Sequence, residues 1–538
     1  MAWNKHIFMV VLFMMAISAL AQENRYVVFF KDKTGSPYSI SNPAEFLSQR
    51  SVNRRIQQGI AVNENDLPVN ESYVNNVQGT GAEVYFRSRW MNALLIQCDQ
   101  SLLESIQNLS CVERVEFVAP GYKLSNGRKR SSVKNKTTKA SEVTDEQLAM
   151  IGLDVMQAEG LKGEGVSIGI FDSGFMGVNV TDPFSHARDE GHINLELSHD
   201  FVFNTDNVFQ YDEHGGAVFS IIAAYQPGTF TGGAYEADYQ LYVTEDVSSE
   251  YRIEEYNWVF AAERADSAGV DIISSSLGYY NFDDASMNYP KSAMDGKTTV
   301  VSRAAQWAAD RGIIVICSAG NEGANSWQTI TAPADARDVL AVGGVNSGLT
   351  RVNSSSKGPS ADGRVKPDVM ALGQSTSIIL PSGNTGVATG TSLAAPLVTS
   401  LAAGLRQKFP ELTSLVIIEA IRNSASQSTN PDAFLGYGIP NFSRVTKYIE
   451  QLEKNTFEVY PNPVVADSLI IKPYDPNQVS SCQMELVNSQ GQIIQQKSLS
   501  FSTDARQFTV DMISCSAGLY FIRLWWNGKV FVYKIVKV

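Results

Sequence analysis

At 538 residues the chain is too long for one ordinary domain, and 44% hydrophobic with 18% charged residues is a globular composition, not a disordered one. A formal net charge of -13 argues against nucleic acid as a partner. Five cysteines over this length exclude a disulfide scaffold. Cys317 lies in an apolar run and reads as an inert buried thiol. Cys98 with Cys111, and Cys482 with Cys515, stay open as pairs within their own domains, since pairing needs Cα atoms within roughly 7 Å.

Residues 1–21 read as a secretory signal peptide: Lys5 and His6, an apolar run over 7–17, then Ala19-Leu20-Ala21 as the small-x-small cleavage site. The run is too short for a permanent anchor, and no other stretch reaches spanning length, so no transmembrane anchor is expected. Residues 22–120 form a small α+β unit. A strand at 26–30 precedes a helix opened by Asn42-Pro43, with Phe46, Leu47, Val52 and Ile56 at helical spacing and Arg54-Arg55 on a solvated face. Strands at 82–86 and 93–96, an amphipathic helix over 99–109 and a strand at 115–118 complete a ferredoxin-like order. Residues 121–143 carry seven lysines and arginines before the first acid, Glu142, and read as an exposed linker. Such segments are nicked readily, so maturation cleavage is expected between Gly121 and Val143.

From about 144 to 450 strands alternate with helices, which implies a parallel sheet covered on both faces. A buried strand at 166–171 ends in Asp172-Ser173-Gly174. His186, His192 and His199 follow and read as loop histidines, because no known metal-site spacing of Cys or carboxylate accompanies them. Asp212-Glu213-His214-Gly215-Gly216 opens an apolar helix through Ala224. Strands at 239–243 and 270–275 flank a helix over 253–268, and the second runs into Ser276-Leu277-Gly278. A helix over 299–311 and a strand at 313–317 lead to Ser318-Ala319-Gly320-Asn321, which places Asn321 at a strand's C-terminal edge. Its amide is suited to donate to a tetrahedral oxyanion. After a strand at 339–343, Gly390-Thr391-Ser392 opens a helix that is apolar nearly all round; Gly390 is read as the turn and Pro396 as part of the first helical turn. The N-terminus of such a helix favours negative charge beside Ser392. Residues 455–538 are all-β, with short strands and turns at Gly491 and Gly528, the pattern of a small Ig-like sandwich.

The order Asp172, His214, Ser392 in these three settings resembles the subtilases, the subtilisin-like serine peptidases. The resemblance implies an α/β fold, a subtilisin-like parallel sheet with helices on both faces, preceded by a ferredoxin-like inhibitory propeptide at 22–120. It implies an Asp172–His214–Ser392 triad, an oxyanion hole at Asn321 and the Ser392 backbone N–H, and substrate strands along Ser276, Leu277 and Gly278 on one side and Ala319 and Gly320 on the other. The same alignment puts Thr331 at the floor of the first specificity pocket. Two positions depart from the family pattern: Gly216 stands where Thr is usual, and Leu393 where Met is usual. The Tyr-Pro-Asn-Pro opening at 460–463, the Gly-Leu-Tyr-Phe-Ile-Arg run at 518–523 and the Lys-containing end resemble the C-terminal sorting domain of type IX secretion in Bacteroidetes-type bacteria.

These resemblances imply a secreted or cell-surface serine endopeptidase that passes through the periplasm and outer membrane and is made as an autoinhibited zymogen. Its partners would be protein or peptide substrates, its own propeptide and the secretion machinery. No cofactor is required for catalysis; structural calcium is common in the family, although these loops yield no ligand set. A subtilase fold used only for surface binding, and an esterase, are the competing readings.

Overall fold

The computed structural model describes residues 23–121, 143–454, 456–473, 479, 481–501, 506–526 and 528–538. The signal segment at 1–21 and the linker interior at 122–142, with the maturation site expected there, lie outside the described residues.

Strands buried on both faces need apolar residues pointing both ways, and the central strands supply them by alternation. Ile168, Ile170, Ile314 and Ile316 join one core with the helices His214–Ala223 and Thr391–Lys408. Phe171, Val315 and Cys317 join another with Ile253–Ala268 and Val300–Asp310 on the opposite face. The resulting 7-stranded sheet runs Val369–Leu372, Val339–Val345, Ile314–Ser318, Ile272–Ser275, Ser167–Asp172, Asp238–Val243, His199–Asp200. Every neighbouring pair is parallel. Ser167–Asp172 lies between the later strands Asp238–Val243 and Ile272–Ser275. The chain therefore changes direction across the sheet beside Asp172, where open α/β sheets form a crevice.

The N-terminal unit is a 4-stranded antiparallel sheet in the order Glu83–Ser88, Ala93–Cys98, Asn24–Phe30, Val112–Pro120, as a ferredoxin-like plan requires. One face buries Val74, Val77 and Ile106 from its own helices Glu71–Gln78 and Leu103–Gln107. The first of these helices is absent from the sequence reading, because its short polar run carries few apolar residues to mark a face. The other sheet face places Val27, Phe29, Trp90, Leu95 and Val118 in one apolar cluster with Tyr256, Val259 and Phe260 of the α/β domain.

The helix Gln49–Gln58 overturns the expected orientation. Arg54 and Arg55, read as solvated, are 5% and 1% exposed, whereas Ile56 is 71% exposed. This helix docks through charge. Arg54 and Arg55 reach the two carboxylate oxygens of buried Asp266 at 2.5 and 2.9 Å, Arg89 reaches the second oxygen at 2.5 Å, and Arg55 also meets Asp66 at 3.3 Å. Counting apolar residues finds a face that packs on a hydrocarbon core and misses one that packs on an anion.

The C-terminal unit stacks a 3-stranded sheet of Phe457–Tyr460, Ser468–Pro473 and Phe508–Asp511 on a 4-stranded sheet of Ile493–Ser500, Ser481–Asn488, Gly518–Trp526 and Lys529–Lys537. Leu469, Ile471, Met484, Leu486, Ile522 and Leu524 fill the space between them. All five cysteines are buried free thiols, so neither candidate pair is closed. Burial pushes the Cys482 thiol up to about 12 and keeps it unreactive.

Candidate active site

Asp172 is the last residue of the central strand and is fully buried. Its Oδ1 lies 2.7 Å from His214 Nδ1 and also accepts from the Ser173 backbone N–H at 2.8 Å and the Ser173 hydroxyl at 3.1 Å. His214 opens the helix His214–Ala223. Asp212 Oδ1 accepts from the backbone N–H groups of Glu213 and His214 at 2.6 and 3.2 Å, which holds that helix end in place. Asp212 Oδ2 accepts from Ser173 at 3.2 Å, so one carboxylate braces both segments. Sequence reasoning named Asp212 and Ser173 beside the triad but gave them no role; an acid just ahead of the first helical residue was the available signal. Gly215 brings the helix against the strand, since a Cβ there would collide with the Gly174 carbonyl and come within 2.9 Å of Asp172 Cβ. At Gly216 a Cβ would lie 3.1 Å from the Met176 carbonyl, which leaves little room for a larger residue.

Ser392 sits in the first turn of Thr391–Lys408 and is 8% exposed. Its Oγ donates to the Ser276 carbonyl at 3.2 Å, while Ser276 Oγ donates to the Ser392 carbonyl at 2.8 Å. Two local expectations fail here. Gly390 is extended, with φ 165°, instead of forming a sharp turn, and Pro396 lies inside the helix beyond the first turn. Proline has no N–H for the carbonyl four residues back, so the Ser392 carbonyl lacks its helical donor and Ser276 replaces it.

Asn321 follows the strand Ile314–Ser318. Its Oδ1 accepts from the Thr391 backbone N–H at 2.9 Å and the Thr391 hydroxyl at 3.2 Å. A backbone N–H only donates, so the atom facing it is the amide oxygen, and the amide nitrogen is left for the crevice.

Ser276, Leu277 and Gly278 continue the strand Ile272–Ser275, and Ala319 and Gly320 continue its neighbour Ile314–Ser318, so the two segments emerge side by side at the sheet's C-terminal edge. Ser276, Leu277 and Ala319 are buried; Gly278 is exposed. Thr331 lies between the segments. A Cβ on Gly278 would collide with its hydroxyl, and one on Gly320 (φ +101°) would come within 2.8 Å of it. The hydroxyl is buried, without a hydrogen-bond partner among the described residues.

Two groups of metal-ligating side chains occur among the described residues. Glu245, Glu250 and Glu254 bring carboxylate oxygens within 4.8 Å of one another behind Tyr279, whose hydroxyl donates to Glu245. His186, His192 and Glu236 form the other. His199 stands apart, 3.0 Å from Asp206 and 3.2 Å from Asn204.

The Subtilase family pattern matches residues 163–438, more than half of the chain. This chain belongs to the subtilase family. Residues 25–138 match the Peptidase S8 propeptide domain of Bacteroidota, and residues 458–538 match the Secretion system C-terminal sorting domain. Subtilisin from Bacillus pumilus is 29% identical over 286 residues, covering 52% of this chain and 90% of its own. Subtilisin E from Bacillus subtilis (strain 168) is 29% identical over 301 residues, covering 55% and 69%. Among solved structures, the epidermin leader peptide processing serine protease from Staphylococcus aureus superposes with a TM-score of 0.56 at 15% identity, over 79% of this chain and 99% of that one, a likeness of fold. The subtilase is a serine-type endopeptidase with a propeptide, and its sorting domain marks it for type IX secretion to the outer membrane, as a secreted or cell-surface protein. No helix among the described residues is long and apolar enough to cross a membrane.

Proposed function

We propose that this subtilase cleaves peptide bonds through an acyl-enzyme formed on Ser392, and that it is made as a zymogen held inactive by residues 22–120. The observation that carries the reading is the 2.7 Å contact between His214 Nδ1 and the fully buried Asp172 carboxylate. A buried carboxylate on Nδ1 selects the tautomer whose Nε2 accepts a proton, and it stabilises the imidazolium that follows.

In the proposed cycle Ser392 Oγ turns from the Ser276 carbonyl toward His214, which takes its proton as Oγ attacks the scissile carbonyl. The tetrahedral oxyanion accepts from Asn321 Nδ2 and the Ser392 backbone N–H at the start of a helix, a preorganised source of positive potential. His214 returns the proton to the leaving amine, and water then repeats the sequence on the ester. Substrate lies extended between Ser276–Leu277–Gly278 and Ala319–Gly320, pairing through its backbone, with its first side chain directed at Thr331. No metal takes part. Glu245, Glu250 and Glu254 are the all-oxygen group suited to a structural calcium ion, and no step passes through it.

Latency is supported by the shared apolar cluster between the N-terminal sheet and Tyr256, Val259 and Phe260, and by the arginines gathered on Asp266. The domain limits 144–450 and 455–538 are proposed because the two ranges have separate apolar cores. A fluorophosphonate probe tests the chemistry. It should label the processed wild type and spare Ser392→Ala, and casein should be degraded only by the former. Labelling of neither protein identifies an inactive binding fold; labelling with ester cleavage alone identifies an esterase.

A further inference from the structure

The segment between Asp172 and His214 contributes two imidazoles to a site that the peptidase chemistry does not use. His186 lies on the short helix Ser185–Asp189, His192 on the turn after it, and Glu236 on the approach to the strand Asp238–Val243. Glu236 is more than forty residues from the two histidines in sequence, yet His186 Nε2 and His192 Nε2 stand 3.2 and 3.4 Å from the same oxygen, Glu236 Oε2.

Those distances decide between two readings. A charge-assisted hydrogen bond from imidazole to carboxylate closes to about 2.7–2.9 Å. Both contacts are longer, and His186 Nε2 is buried with no hydrogen-bond partner among the described residues. Ligands about 2.0–2.1 Å from a tetrahedral zinc ion lie roughly 3.3 Å from one another. The two observed separations bracket that tetrahedral edge, and the three ligand atoms all fall within 4.8 Å of one another.

The surroundings are built to hold these donors. Glu236 N–H donates to the Lys162 carbonyl, Tyr239 N–H donates to the His192 carbonyl, and Ile193 N–H donates to the Ala187 carbonyl. Tyr225 and Tyr235 stack at 4.2 Å, and the His186 ring meets them in T-shaped contacts at 5.3 and 5.8 Å, which restricts its plane. On the far side of His192, Asp238 Oδ1 lies 3.7 Å from Nδ1, longer than a hydrogen bond but the position from which a carboxylate commonly orients a ligating histidine. The side chains of His186, His192 and Glu236 retain 22%, 18% and 30% exposure, enough for metal entry and a water as fourth ligand.

We propose that His186, His192 and Glu236 bind a zinc ion, with Asp238 as the outer-shell partner of His192. Two imidazoles with one carboxylate suit zinc and its first-row neighbours, not calcium or magnesium. The ion ties the insertion that follows Asp172 to the start of the strand Asp238–Val243, at the end of the sheet opposite Asp172, so it braces that insertion without touching the reacting groups.

The test uses the full chain carrying Ser392→Ala, which prevents self-digestion, stripped of metal by a chelator. Zinc titrated by calorimetry should bind with one equivalent per chain. It should raise the melting temperature by roughly 5–10 °C at a concentration about 100-fold above its dissociation constant. Calcium and magnesium should act equally with and without Glu236→Gln, because any calcium stabilisation belongs to Glu245, Glu250 and Glu254. Cobalt should give the intense visible band of a tetrahedral site with nitrogen and oxygen ligands. Added Glu236→Gln or His186→Ala should abolish the zinc response while the metal-free melting temperature stays unchanged, and Asp238→Asn should weaken zinc by about 10–100-fold. If a ligand variant fails to fold, the cobalt spectrum of the unaltered site still decides. No stoichiometric binding, an octahedral cobalt spectrum, or an undiminished zinc response in both ligand variants overturns the site.

Discussion

Ser276 Oγ donates to the Ser392 carbonyl at 2.8 Å, the acceptor that Pro396 leaves without a helical partner. A proline inside a buried helix thus has a counterpart on a neighbouring strand, and the residue carrying the proposed nucleophile is fixed at its backbone. Ser276→Ala should cost about 1–3 kcal/mol, because it leaves a buried carbonyl unsatisfied. It should also lower kcat more than it changes KM, because the position of Ser392 is what it loosens. Pro396→Ala restores an N–H to that carbonyl, so Ser276→Ala should cost less in that background. Chemical denaturation of the four proteins of the cycle measures the coupling; strict additivity would remove the relationship from the account.

Asn321 accepts from Thr391 through Oδ1, and the proposed mechanism gives its Nδ2 a second, separable function as an oxyanion donor. Asn321→Asp keeps the acceptor and removes the donor. It should reduce kcat by about 10²–10³ with KM little altered, the loss typical of one oxyanion donor. Steady-state kinetics on a peptide anilide checks this. Equal losses in kcat and in thermal stability would assign Asn321 to folding instead.

Thr331 stands where the Gly278 and Gly320 segments come closest, and its hydroxyl lacks a partner. The side chain should shorten the first pocket and favour small or hydrogen-bonding residues there. Thr331→Gly should shift cleavage toward large apolar residues, by roughly 10-fold or more in relative kcat/KM, given that each buried methylene contributes about 0.8 kcal/mol. Profiling the products from a peptide library reads the change directly.

Docking of the N-terminal unit should depend on pH through Asp266. Burial alone would raise its pKa, but Arg89, Arg54 and Arg55 outweigh burial and hold the carboxyl down to about 2. All three arginines leave with the propeptide, so the undocked carboxyl returns toward its ordinary range. A pKa depressed in the docked state stabilises docking above that range, and the contribution disappears as pH falls through about 2. Dissociation of linker-cut Ser392→Ala protein, followed by size exclusion, should therefore increase between about pH 4 and 2. Asp266→Ala should weaken docking by about 3–5 kcal/mol at neutral pH, because it strands buried arginines, and should flatten the acid response.

The proposed reacting groups were legible because each sits at a local junction with its own sequence signature. Asp172 ends an apolar strand, His214 and Ser392 open apolar helices, and Asn321 follows a strand into a glycine-rich turn. Strand and helix periods are local properties, so the parallel sheet and the Ile253–Ala268 helix follow from residues close together in the chain. The helix Gln49–Gln58 did not: its buried face is charged because its partner is Asp266, more than two hundred residues away. The same holds for Ser276 with Pro396, and for His186 and His192 with Glu236. Periodicity records what a segment needs in order to be buried. Only the folded chain decides which distant group meets that need, because hydrogen bonds, ion pairs and metal ligands are satisfied across space and leave no spacing rule along the sequence.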